Sequence, residues 1–285
     1  MVTKSKETYQ AFKNRIEREV MQHRVIVNND YTKWFKESDL SFEDVKFFAK
    51  QFSVFSNLFL IAQLKKTINS LTLEEMRSSK EILANEIGVI FKPKTKESRD
   101  SIKKRSLNPE EEGDPALVSS EGTIEGGAFR FKAAHFEWLL AFGKPLGMGF
   151  NDMGKRRHGS SSALFFCDEL SRIYGSENFN VGAGGSFAVE HWAAAGFWKE
   201  LVQGLRKFKA EKCPDLPLAF FTWHDKVEDQ HAAHTEEELQ KLYFHKEFNE
   251  NIFIKSANEM LDGVAAFWDG LNTERLERHS SHMAS

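Results

Sequence analysis

Cysteine is scarce in this chain: Cys167 and Cys213 are the two present among 285 residues. With no CxxC spacing they do not build a disulfide framework, and they fit a reducing compartment better than an oxidising one. Tyrosine is also rare, 4 residues against 26 phenylalanines. The core and any pocket wall should therefore be lined by rings that carry no hydroxyl. Neither sign of charge dominates: 39 Lys and Arg face 42 Asp and Glu, for a net charge of -3. A pI near 6.4 leaves no global electrostatic case for a nucleic-acid partner. No uninterrupted run of 18 apolar residues occurs, so no membrane-spanning helix is expected. The polar opening from Met1 to Glu7 lacks the hydrophobic region of a secretory signal. These absences predict a soluble cytoplasmic protein without a membrane partner.

What is present is helical. A chain of this length with 41% hydrophobic residues can bury a substantial core. Apolar positions recur at helical spacing, no alternating strand pattern of useful length is seen, and no internal repeat is visible. The fold class expected is an all-α bundle, organised as a single domain over residues 1–277. Helices are predicted at 5–28, from a Ser41 N-cap to about Thr67, from Thr72 to about Val89, and from Ala128 towards Phe142. Further helices are predicted over 160–174, Phe187–Lys209, around His224, and from a Thr235 cap onward. The second of these is apolar on most sides, which marks it as central. Gly182, Gly184 and Gly185 suit the close approach of another helix; with no GxGxxG pattern and no preceding strand they do not mark a nucleotide loop. Residues 92–126 change character sharply to Lys, Arg, Glu, Ser, Gly and Pro, and read as a charged insertion able to close over a site. Arg278 to Ser285 resembles a vector-derived tail, and its histidines are set aside.

The most informative stretch runs from Thr222 to His231. His224, Glu228 and His231 stand at i, i+4 and i+7, which places three ligand-type side chains within roughly 60° on one helical stripe. Two imidazoles and a carboxylate suit a transition metal, but a single helix leaves the site open, so other helices must complete it. Glu86 and Glu190 are acids set among apolar residues, and His135 is an imidazole among aromatics. Six such groups on four predicted helices match the ligand count of a dinuclear iron or manganese centre in a bundle.

With these residues the chain resembles the haem-oxygenase-like di-iron oxidases and oxygenases, a group with the bundle architecture of the TENA, PqqC and CADD proteins. The resemblance covers most of residues 8–270. It rests on the helix pair around Trp34 to Phe59, on Glu86 with its following glycine, and on the Glu190 helix with Trp198 and Gly204. The closing His-x-x-x-Glu-x-x-His of His224, Glu228 and His231 is its most specific part. It implies a seven-helix, haem-oxygenase-like bundle whose metal ligands are Glu86, His135, Glu190, His224, Glu228 and His231. Here 48 residues separate Glu86 from His135, with the charged insertion between them, and Glu137 and His158 are alternatives for the first histidine position. Many relatives carry Asp where this chain has Glu228.

The resemblance further implies two Fe(II)/Fe(III) ions, with manganese as the other candidate, and O2 as co-substrate, activated through a peroxo-di-iron(III) species. The substrate would be a small organic molecule with an apolar body, derived from an amino acid or a fatty acid. The outcomes within the family are C–H abstraction, C–C cleavage, decarboxylation or N-oxygenation. An external electron donor and a homodimer are compatible partners. Lys155, Arg156 and Arg157 form a basic patch able to meet a substrate carboxylate. Three rival readings stand beside this one. A thiaminase-like, metal-independent hydrolase would use Cys167 as nucleophile. A haem protein would use His23 as axial ligand. A non-catalytic iron-binding module would hold the metal without consuming oxygen.

Overall fold

The structure is a computed structural model that describes residues 5–93, 121–124, 127–131 and 134–283; side chains at 85, 89–93, 121–124, 127–131, 227–238 and 281–283 lie outside the described set. The chain begins with three short helices, α1 (Lys6–Glu19), α2 (Arg24–Val27) and α3 (Asp30–Glu37). Ser5 caps α1 through a reciprocal pair with Thr8, and Tyr9, Phe12 and Ile16 turn inward at helical spacing. The single helix expected over 5–28 is therefore two, parted at Val20–His23. His23 accepts from the Val25 amide through Nδ1 and meets Asp262 through Nε2 at 3.0 Å, so both ring nitrogens serve the fold. That use leaves the haem-ligand reading without support.

Helix α4 (Phe42–Ile68) is the axis of the bundle. Ser41 and Asp44 form the capping box that starts it. Phe48 and Phe52 are buried, and Phe52 meets Trp198, Phe220, Phe221, Phe267 and Trp268 from other helices. By length and composition α4 could also cross a membrane. Its polar side chains instead bind other parts of the chain. Gln51 donates to the His158 carbonyl and accepts from the Ser160 amide, and Asn57 donates to the Gly154 carbonyl.

After α5 (Leu73–Glu86) the expectation of no strands gives way locally. Strands β1 (Val89–Pro93), β2 (Glu121–Ile124) and β3 (Gly127–Phe131) make a small antiparallel sheet in the order β1-β3-β2. The bundle around it is helical, as expected. Helix α6 (His135–Gly143) starts after β3 instead of near Ala128. Residues 94–120 lie outside the described set, and with them most of the expected cover over a site.

The second half packs α7 (Ser161–Glu169), a π-helical turn over Leu170–Tyr174, and then α8 (Phe179–Ala193) and α9 (Phe197–Glu211). It ends with α10 (Ala219–Phe244) and α11 (Glu250–Met283). The helix expected over 187–209 is broken at Gly196, whose φ of 94° an L residue rarely adopts. The run of small residues Ala193 to Gly196, which from its sequence suits close approach of a neighbour, lies at that break. The glycines before it behave as expected: a Cβ at Gly184 would stand 2.4 Å from the Phe253 carbonyl oxygen, so α8 and α11 meet backbone to backbone. No helix starts at Thr235: α10 runs through that position without a break. Residues read as tail extend α11, and His279 reaches Asp44 at 3.0 Å.

The Gly184 contact yields a stability prediction. Gly184→Ala has no room to relax without parting α8 from α11, and overpacking of this kind costs about 1–3 kcal/mol. Urea unfolding of the two proteins checks it; an unchanged midpoint would contradict the close approach.

Candidate metal centre

Three of the six sequence-selected residues meet. His135 Nδ1 stands 2.9 Å from Glu86 Oε2, the imidazole N–H donating to the carboxylate. Both side chains are largely withdrawn from water, at 9% and 14% exposure. The His135 and His224 rings lie 4.8 Å apart, edge to face. His224 is set by its own helix: its Nδ1 donates to the Phe220 carbonyl one turn earlier at 2.6 Å. Trp198 on α9 stacks on the ring at 4.6 Å and 18°.

The chain reaches this arrangement by a local device. Gly88, at φ 72°, turns the chain out of α5 and into β1. Strands β1 and β3 then pair with Val89 opposite Phe131. Opposed Cα atoms in an antiparallel pair are about 5 Å apart. Glu86, three residues before Val89, and His135, four after Phe131, thus return to one place across the long insertion. The sequence offered an extended connection between them; the pairing makes it a short one. Glu86 ends α5 and faces the start of α6. The positive N-terminal pole of α6 favours a carboxylate there.

The wall around the imidazoles is aromatic. Trp138, Trp223 and Phe220 all lie within 6 Å of the His135 ring, centre to centre. Next to it lies a cavity of about 180 Å³ lined by Ser56, Asn57, Leu60, Glu86, Ile87, Ala134, His135, Phe136 and Glu137. Ser56 and Asn57 were not singled out from the sequence. Their signal was a polar pair inside an otherwise apolar stretch of α4. Glu137 places one carboxylate oxygen in the interior without a hydrogen-bond partner among the described residues. Burial raises its pKa.

The other three residues expected as ligands divide. Glu190 is half-buried on α8, beside the buried Phe187 and Trp192. Positions 228 and 231 fall on the continuous α10, which keeps them on one stripe with 224, but their side chains lie outside the described residues. Among the described residues no group of three or more His, Cys, Asp or Glu converges as a complete metal site. His158 is not part of this place; its Nε2 meets the Asn151 carbonyl at 2.7 Å on the surface.

The donor chemistry fits a metal. With Nδ1–H of each imidazole committed to an oxygen acceptor, the neutral tautomer carries its lone pair on Nε2, the form in which histidine ligates. Glu86 brings a carboxylate to His135, and Glu137 brings a buried carboxylate oxygen to the adjoining cavity.

The basic patch has other work. Arg156 makes a two-pronged pair with Asp168, both contacts at 2.7 Å, and Arg157 donates to the Asn151 carbonyl. Lys155 lies 3.5 Å over the Phe150 ring. The patch is thus committed to its own loop.

No protein-family model and no curated protein matches the sequence. A solved structure does: a CADD-like protein of unknown function from Nostoc punctiforme, with a TM-score of 0.61 over 95% of this chain and 97% of that one. The fold is CADD-like. At 14% identity the likeness concerns the CADD-like backbone and not the chemistry.

Cys167 provides the test of the metal-free alternative. It is 7% exposed, and burial pushes its thiol up to about 12. A nucleophilic cysteine needs the opposite shift. At pH 8, alkylation of Cys167 should be at least about a hundredfold slower in the folded protein than in urea, since the thiolate is the reacting species. Peptide mapping of the labelled cysteine measures this, and rapid labelling of the folded chain would reopen the hydrolase reading.

Proposed function

We propose that this CADD-like bundle is a non-haem di-iron oxidase or oxygenase that uses O2 to oxidise a small organic substrate with an apolar body. The observation that carries the reading is the pair of imidazoles from α6 and α10, His135 buried and His224 half-buried. Their rings are 4.8 Å apart, and both Nδ1 atoms are held by oxygen acceptors. Such a tautomer presents Nε2 to a metal, while Glu86 holds the Nδ1–H on the other side of the His135 ring and joins the proposed ligand set only by giving up that bond. Glu190, Glu228 and His231 complete the proposed ligand set, and Glu137 stands beside it in the cavity.

The ions, when bound, supply the reduction of dioxygen. The protein's part is to hold and shield. Trp198 and the Phe220 carbonyl fix the plane of His224, and Glu86 fixes that of His135. The rings of Trp138, Phe220 and Trp223 exclude water from the imidazoles, which keeps competing hydrolysis and proton leakage away from the reacting centre. Leu60, Ile87 and Phe136 give the cavity an apolar side suited to the substrate's body. Ser56 and Asn57 give it a polar one. The reading needs no cation from Lys155, Arg156 or Arg157.

A non-catalytic iron-binding protein would share the ligands but not the oxygen chemistry. Anaerobic titration with Fe(II), followed by mixing with oxygenated buffer, separates the two. The expected result is about two iron ions per chain and oxygen uptake on mixing, the ligand number suiting a dinuclear centre. In His224→Ala both should fall sharply. Iron binding without oxygen uptake, with and without a panel of amino and fatty acids, would favour storage or transport. No iron binding at all would remove the basis of the proposal.

A further inference from the structure

Helix α5 carries Glu86 yet has little apolar surface to hold it. Of its described residues Ser79 alone is buried, at 4% exposure, while Met76, Ile82, Leu83 and Ala84 are half-buried and the remainder of its first eleven residues face water. What Ser79 meets is polar. Gln63 Nε2 donates to Ser79 Oγ at 2.9 Å and to the Ser79 carbonyl at 3.0 Å. Thr67 Oγ1 spends its proton on the Gln63 carbonyl, so in its 2.7 Å contact with Ser79 Oγ the serine is the donor. Tyr174, at the end of the π-helical turn, donates to Gln63 Oε1 at 2.6 Å. The amide of Gln63 is thereby oriented, and the Ser79 hydroxyl both accepts and donates. These four side chains, each 5% exposed or less, form a satisfied network between α4, α5 and the π turn.

Satisfied buried networks specify one geometry where apolar contacts allow sliding or rotation. Glu86 is seven residues after Ser79, two turns along α5. Seven steps of about 100° return a side chain to within about 20° of its starting direction. Docking Ser79 therefore sets the face on which Glu86 emerges. We infer that Ser79, held by Gln63, Thr67 and Tyr174, is the positioning residue for the Glu86 carboxylate against His135. Its role in function rests on the proposed metal site. The contact it positions is present without metal, so its test is independent of iron.

The experiment uses the whole metal-free chain and compares wild type with Ser79→Ala, Tyr174→Phe and Glu86→Ala. Nitrogen NMR of the His135 imidazole reads the Glu86 hydrogen bond directly, and Glu86→Ala, which leaves no acceptor, shows the signal of its loss. Amide hydrogen exchange reads the docking of α5. In Ser79→Ala the His135 Nδ1 resonance should move most of the way to its Glu86→Ala position. Amides of 80–86 should exchange at least about tenfold faster while the other helices keep their protection, as expected of one locally released unit. Tyr174→Phe, which leaves Ser79 intact and only frees the Gln63 amide, should move both readouts in the same direction by less. A His135 resonance unmoved in Ser79→Ala would overturn the inference. So would faster exchange spread evenly over the bundle, which marks a structural role alone. A chain that binds no iron yet shows these shifts would retain the positioning role and lose the metal reading.

Discussion

A carboxylate and an imidazole removed from water must find partners, and Glu86 and His135 find each other. Leaving either alone in an aromatic interior would cost several kcal/mol; together they satisfy one another and fix the orientation of both. Much of the surrounding structure serves this contact. A strand pair closes the chain around it, the end of α5 and the start of α6 deliver its two partners, and indole and phenyl rings keep it dry. The bundle supplies the rigid frame, but this contact decides which side chains face the interior at that point.

His224 is held by a different principle. Its orientation is written into its own helix, because the carbonyl it binds is four residues earlier and exists wherever the helix does. Trp198 then restricts rotation of the ring from the neighbouring helix. One imidazole is thus aimed by tertiary structure and the other by local structure. A site built from both kinds of support keeps half its geometry if the pairing of β1 with β3 is disturbed.

The legible parts of the sequence were those with a period or a cap. Ser41 with Asp44, the Phe-rich helix behind it, and the glycines at 184 and 185 announced α4 and the close packing of α8 on α11 and on the π-helical turn. His224, Glu228 and His231 were legible as a stripe because the helix repeat links them. The sheet was not legible. Its strands are four or five residues long and stand beside a charged stretch, so alternation had no length over which to show. The break at Gly196 was hidden because small residues suit a close contact as well as a turn. The pairing of Arg156 with Asp168 was missed because a basic cluster gives no sign of an acid eleven or twelve residues on. The Ser79 network could not be read at all: a serine among Arg, Ser, Lys and Glu looks like surface until the fold places Gln63 opposite it.

The pairing of Val89 with Phe131 has a consequence for how such a protein changes over time. Because the two ends of the insertion are joined at its base, the geometry of Glu86 and His135 is insulated from the chain that runs beyond Pro93 and returns at Glu121. That chain can lengthen, shorten or be exchanged for another without moving either side chain. The pair and the chain beyond its base are thereby separable, and the two strands mark where one can be changed with the other left in place.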